Sequence, residues 1–539
     1  MKILLASTFS TNLVSVPKVP LRTPREIFTY KNRSRARAEL HSPGYNLLNL
    51  VAGLSFCYVI FPVLIFLVGY VRWEIALFTC MVMILALYEI LSAHLAAAKF
   101  SRCFAGIVAE LAHVRKYILI IALLTFAWLL FSSIGGVGYP NFDSGIRSSL
   151  LWHLTRDDWP VWFSPEYMGA EFGYESDKPY VYYFAYYLPA AVAGKLSGWA
   201  EANIVLFFYS YLGVLLAVLL VYFNKTTSGV RSAFFLVAGI SLFGGMDYLA
   251  NFVFDFTMDR SEMWLKPFFY FSNTRNLFWS PQHCLPTWIM IGLLLNRKSM
   301  HPVLIRCFPL VVCSLVLWSP LCLLGLIPFL VPVLVEQRSE YLRFSLLNIT
   351  SCLILLILSS FILSNDFSFP VAFSQTLIPD FWWTYARFLT IELLVGTLLI
   401  SAGFRNFDRM EKQICIIAGC SLVLIPFLIL GTWNDWCIKV SMPSLFVMSV
   451  LIASSLEYLW VERKGIFYAC FLMFCLMGLT AFEEIAESAA HYQIGFGQPP
   501  AIRDFGPGYV VKQQLGRPDA FFFNYLAPSA PIRKNGSAE

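Results

Sequence analysis

The sequence predicts an all-α polytopic membrane protein of about thirteen crossings, and three observations predict it. Of its 539 residues, 58% are hydrophobic and only 13% are charged, against about 25% charged in ordinary globular domains. Mean hydropathy is +0.66. Apolar runs near the ~20 residues needed to cross a ~30 Å hydrocarbon core recur from Leu47 to Ile485. Composition on this scale excludes a soluble or a disordered chain. A β-barrel would need many alternating segments of roughly 10 residues, a pattern this sequence lacks.

The opening stretch, MKILLASTFSTNLVSV, is too short and too polar for a signal h-region. Residues 1–46 then carry Lys18, Arg22, Arg25, Lys31, Arg33, Arg35 and Arg37 just ahead of the first apolar run, which places this basic segment in the cytoplasm. Spans follow at 47–70, 74–98, 117–135, 202–223, 230–250, 281–296, 302–318, 319–335, 346–363, 386–403, 414–431, 437–460 and 466–486. The stretch 302–335 would reach about 50 Å as one helix at ~1.5 Å per residue, so it must be a hairpin, turned at Trp318-Ser319-Pro320.

Segment 179–201 is aromatic-rich and interrupted by Pro189, and it reads as an interfacial or re-entrant helix. With that segment on one side, the cytoplasmic connections hold 24 of the 39 Lys and Arg residues. If it crossed, the basic connections at Lys225/Arg231 and Arg297/Lys298 would all move outside. The membrane domain is therefore 47–486, with outer loops 136–201, 251–280 and 364–385, and 487–539 form an outer C-terminal tail.

A net charge of +6 would suggest nucleic acid for a soluble domain, but here it reports orientation, and no nucleic-acid partner is expected. Most of the thirteen cysteines lie inside apolar runs with neither metal-ligand nor disulfide spacing, and read as small packing residues. Glu89, His94 and Glu392 are ionisable groups within spans, too scattered to define a proton path.

The outer loops are long, acidic and aromatic, so the working face is the outer one. Asp143 falls a few residues after the third span, in YPNFDSGIRSSLLWHLTRDDWPVWF, where Ile146, Leu150, Leu151 and Leu154 recur at helical spacing. That pattern predicts an amphipathic helix on the membrane with Asp143 near its start. The carboxylate is then either an N-cap or a catalytic base at the membrane surface.

This order of elements resembles the GT-C superfamily of membrane glycosyltransferases. The matching parts are a span followed at once by Asp143, a helix ending in Asp158-Trp159-Pro160, and the Tyr/Pro-rich stretch KPYVYYFAYYLPAAVAGKLSG before the next span. The blocks LFWSPQHCLPTW and NDWCIKVSMPSLF look like those of bacterial membrane proteins of this general type. Two spans precede the Asp-bearing loop where the usual pattern has one.

The resemblance implies transfer of a sugar from a polyprenyl-phosphate donor to a glycan or lipid acceptor at the outer face of a bacterial inner membrane. Asp143 would be the base that removes the acceptor proton, and cations would stabilise the leaving phosphate. Lys439 and Arg387, at outer ends of spans, are candidates for the phosphate site, with Arg275 and Lys266 in the neighbouring loop. Each could instead snorkel to the interface.

Gln282 and His283 open a short, Pro-interrupted span and are candidates for sugar or acceptor binding, as are Asp158, Asn434 and Asp435, the last two otherwise forming a turn. A divalent cation is left open, with no ligand set assigned. A transporter or flippase of lipid-linked saccharide, or a glycan polymerase or ligase outside the GT-C class, are the other functions compatible with these features.

Overall fold

The computed structural model describes residues 47–95, 100–225, 229–254 and 261–528. The basic segment 1–46, Asp255 and Asp259, and the side chains of Glu89, His94 and Cys103, lie outside the described residues. Helices carry the fold: α1 (Leu47–Tyr70), α2 (Trp73–Leu95), α3 (Phe100–Leu129), α4 (Phe142–Arg156), α5 (Leu188–Ser197), α6 (Trp199–Asn224), α7 (Val230–Ser241), α8 (Asp247–Phe254), α9 (Asn273–Trp279), α10 (Pro281–Asn296), α11 (Phe308–Trp318), α12 (Pro320–Glu336), α13 (Leu346–Ile362), α14 (Phe381–Gly403), α15 (Arg409–Leu424), α16 (Asp435–Glu462) and α17 (Lys464–Ala490). Strands among the described residues are two short antiparallel pairs, Trp162–Phe163 with Lys178–Pro179 and Val371–Phe373 with Leu428–Leu430.

Among the described residues six helices, α1, α6, α14, α15, α16 and α17, are long and apolar enough to cross a membrane, and several shorter helices are also apolar. Their outward faces carry large hydrophobic side chains such as Val68, Leu77, Phe208, Leu398 and Leu472, all well exposed. So much apolar surface left in water would drive aggregation, whereas a lipid surround leaves it solvated. Helix α16 is buried along nearly its whole length and forms the axis on which α7, α12, α14 and α15 pack.

Proline and serine punctuate the bundle. Pro281 and Pro320 occupy first-turn positions, where the missing N–H is no loss, and Ser319 caps α12 by accepting from the Cys322 N–H at 3.3 Å. Ser319 is the extended residue between α11 and α12, and the far ends of the two helices come back together: Arg306 pairs with Glu340 at 3.3 Å, and the Tyr341 hydroxyl donates to the Ile305 carbonyl at 2.9 Å. The 302–335 stretch is thus a hairpin turned at Ser319.

Residues 230–250 do not form one helix. The chain leaves α7 after Ser241 and restarts at Asp247, and between them Gly244 packs against Thr480 of α17.

The helix ends sort into two sets. At one end Gly138 N–H donates to the Gln493 carbonyl, Trp199 Nε1 to Gly497, Val181 N–H to Gln514, Arg517 N–H to Ser364, and Arg72 Nε to Ala527. At the other, Lys225 pairs with Glu457 and Arg297 with Glu336. Segment 136–201 begins and ends in the first set, and its helix α5, only 10 residues long, packs on α4 and α6. The tail from 491 to 528 closes over this end.

Candidate active site at the tail-covered end of the bundle

Asp143 is the second residue of α4. The N-cap is its neighbour Asn141, whose side-chain oxygen accepts from the Ser144 N–H at 2.8 Å, so the alternative that made Asp143 the cap is corrected. Leu150, Leu151 and Leu154 are fully buried and Arg147 and His153 nearly so, so this face of α4 packs on protein, while Phe142 at its start is well exposed. Asp143 itself remains partly exposed. Burial pushes its carboxyl above the usual range, the positive charges of Arg147, Lys439 and Arg275 pull it back, and Asp435 pushes it up again.

Those charges come from three elements. Arg147, one turn along α4, donates to the Phe278 carbonyl at 2.8 Å and to the Ser133 hydroxyl at 3.3 Å. Lys439 and Asp435 lie one turn apart on α16, with Nζ 3.1 Å from Oδ1, and the tail contributes Tyr509, whose hydroxyl donates to the other Asp435 oxygen at 3.2 Å. The Lys439 ammonium also faces the Tyr183 ring at 5.9 Å, and Tyr183 in turn meets His283 edge-on at 5.4 Å. His283 Nδ1 lies 2.8 Å from the Ser319 hydroxyl at the apex of the α11–α12 hairpin. Tyr182 packs on Tyr183 at 4.5 Å, and burial raises its phenol well above the ordinary value, with Asp435 and Asp143 adding to the shift.

Of the residues singled out in the sequence, Asp143, Lys439, Asp435 and His283 therefore share one neighbourhood. Arg275 acts on it from behind: it is almost wholly buried on α9, 3.2 Å from Glu484, between the rings of Phe271 and Trp279 at 4.5 and 4.6 Å. Gln282 is buried beside His283, with its carbonyl oxygen lacking a hydrogen-bond partner. Asn434 is the fully buried N-cap of α16, holding the Cys437 and Leu430 N–H groups and donating to the Pro267 carbonyl at 2.9 Å, which is a turn-forming role.

Three candidates remain. Asp158 is exposed beyond the far end of α4, about 20 Å along the helix from Asp143 by its ~1.5 Å rise, and there its charge acts on Lys195. Lys266 sits over the Trp433 ring at 4.5 Å. Arg387 is half-buried on the second turn of α14, whereas the groups acting on Lys439 are Asp435, Tyr183 and Tyr509.

Sequence reasoning missed Arg147, Tyr182, Tyr183 and Tyr509. The two adjacent tyrosines were visible in the KPYVYYFAYYLP run, and Arg147 in its spacing of four from Asp143. Nothing in the tail marked Tyr509.

The arrangement offers a partly exposed carboxylate of raised basicity, an ammonium already paired with a carboxylate, and aromatic walls. Among the described residues no group of three or more His, Cys, Asp or Glu side chains is placed to hold a metal ion. No protein-family model, curated protein or solved structure matches the chain.

Proposed function

We propose that the protein is a membrane glycosyltransferase that takes a sugar from a polyprenyl-phosphate donor and delivers it to a glycan or lipid acceptor at the outer face of a bacterial inner membrane. The observation that carries this reading is Asp143: a partly exposed carboxylate of raised basicity with three cations acting on it, at the end of the bundle where the long loops and the tail meet. A base for the acceptor hydroxyl and positive charge for the departing phosphate are what such a transfer demands. In this reading Asp143 takes the acceptor proton, while Lys439 and Arg147 stabilise the phosphate.

The same reading has thirteen crossings. Segments 136–201 and 487–539 lie outside, α5 forms part of a loop that does not cross, and the 225, 297 and 463 ends face the cytoplasm. The positive-inside count and the two sets of helix ends support it.

A second reading, a transporter or flippase of lipid-linked saccharide, draws support from the helix breaks at 242–246 and Ser319 and from carboxylates buried in the bundle. One preparation tests both. Purified protein in proteoliposomes is given short-chain polyprenyl-phosphate sugars, and transfer to added acceptor and movement of the lipid between leaflets are measured separately. Acceptor-dependent release of polyprenyl phosphate, lost in Asp143→Asn, is the expected result. Lipid movement without sugar transfer overturns the enzyme reading.

A further inference from the structure

Among the described residues, four buried carboxylates lie behind the candidate active site. Glu262, Asp247, Glu392 and Glu484 are all less than a tenth exposed, and the cation among them is Arg275, whose charge acts on Asp247 and Glu262 and which contacts Glu484.

Three of these acids accept hydrogen bonds from nearby donors. Glu262 accepts from the N–H and the hydroxyl of Ser272 at 2.8 and 2.7 Å. Glu484 accepts from Trp279 Nε1 at 2.9 Å as well as from Arg275. Glu392 accepts from Trp264 Nε1 at 3.1 Å through Oε1.

Asp247 is different. It is fully buried, and neither of its oxygens has a hydrogen-bond partner. Its Oδ1 and the second oxygen of Glu392, Oε2, both press on the place where a side chain would begin at Gly245. Both carboxylates therefore turn an oxygen towards the same point, and the Asp247 oxygen has no donor there.

We propose that Asp247 and Glu392 form a proton-binding site, a carboxylic acid and a carboxylate that share one proton. Ionised together they would place like charges in contact inside an apolar bundle, which is prohibitive, whereas one proton turns the contact into a hydrogen bond and satisfies the orphaned oxygen. The donors nearby are Ser272, bound to Glu262, Trp279, bound to Glu484, and Arg275, whose Nη1 pairs with Glu484 while its Nε has no hydrogen-bond partner. Among the described residues, the other titratable groups facing the pair are Glu483, acting on Asp247, and Tyr270, Cys437 and Glu262, each near Glu392. Gly245 is required because any side chain there would occupy the meeting point of the two oxygens.

Loss of the proton would add a negative charge next to Arg275, the same cation whose field reaches Asp143. The site thereby ties the ionisation of the buried pair to that of the partly exposed Asp143 carboxyl. It does not depend on sugar transfer and can be tested without a substrate.

Infrared spectroscopy of the purified protein, titrated from mildly acid to mildly alkaline pH, measures the protonated carboxylic C=O stretch of buried acids. A band that persists at neutral pH, shifts in deuterated water, is lost in Asp247→Asn and titrates at lower pH in Glu392→Gln is the expected result. The wild-type spectrum alone can overturn the proposal: absence of such a band at neutral pH means that both groups are ionised. A band unchanged in folded Asp247→Asn assigns the proton elsewhere and equally overturns it.

Discussion

Cap and base are alternatives for Asp143 in the sequence, and the structure gives the cap to Asn141 instead. Because Asn141 is the cap, Asn141→Ala is expected to lower stability by about 1 kcal/mol while leaving turnover per folded molecule intact. Asp143→Asn is expected to do the reverse, lowering transfer by about 10² to 10⁴ with little change in thermal midpoint. Rate and midpoint measured on the same two variants separate the roles.

The pH dependence of Asp143 has a definite sign. Its carboxyl is raised in the folded state, so the native chain holds that proton more tightly than the unfolded chain does. Its contribution to stability falls as pH rises from the ordinary carboxylate value towards the raised one, while the fraction of active base grows over the same window. Transfer should therefore increase with pH there, and the Asp143→Asn protein should lack that rise in its residual rate. A wild-type profile flat across the window would show that another group takes the proton. Lys439→Met is expected to weaken donor use more than it lowers expression, since the ammonium joins Asp435, Tyr183 and the tail into one wall. Unchanged donor dependence would remove Lys439 from the phosphate site.

Between helices, contact is set by small residues as much as by large ones. Gly325 of α12 faces the Val440 carbonyl of α16, the residue next to Lys439, and an added methyl group would collide with that backbone oxygen. Gly325→Ala is expected to lower stability by about 1–3 kcal/mol and to push α12 and α16 apart. Because Cys322 also contacts the Lys439 carbonyl at 3.2 Å, the displacement should reach the site and weaken donor use as well. A shift in midpoint with unchanged donor use would confine the effect to packing.

Helices were the legible part of this chain. The run predicted at 47–70 is helical over Leu47–Tyr70 and that at 346–363 over Leu346–Ile362, because apolar length alone defines such an element. The break in 230–250 was not legible, since it arises from what Gly244 and Gly245 meet on α14 and α17, far away in sequence. Hydropathy likewise read 302–318 as one span, whereas Pro302–Arg306 is a separate short turn before α11. The tyrosines at 182 and 183 were counted into an interfacial segment, although their rings build the wall beside Lys439.

At the scale of the whole molecule, one end of the bundle gathers segments 136–201, 364–380 and the tail, and the proposed orientation turns that end outward. A cysteine placed at Ser176 is expected to react with a membrane-impermeant reagent from outside, while Cys103 and a cysteine placed at Ser345 are expected to stay protected. Protection at Ser176, or outside labelling at Ser345, would invert the topology. The tail was the least legible region: it holds no long apolar run, yet Gln493, Gln514 and Arg517 bind backbone from 138, 181 and 364. Tyr509→Phe should leave that pairing intact while releasing one Asp435 oxygen, and a small loss of donor use with an unchanged midpoint is the expected signature.

The position of Tyr509 also bears on the order in which the molecule comes into being. Asp143 emerges from the ribosome early and Lys439 late, but the hydroxyl that completes their surroundings is translated after every helix of the bundle. A chain still being synthesised therefore holds Asp143 and Lys439 before it holds Tyr509, so their surroundings are complete only once residues beyond the bundle helices have been made.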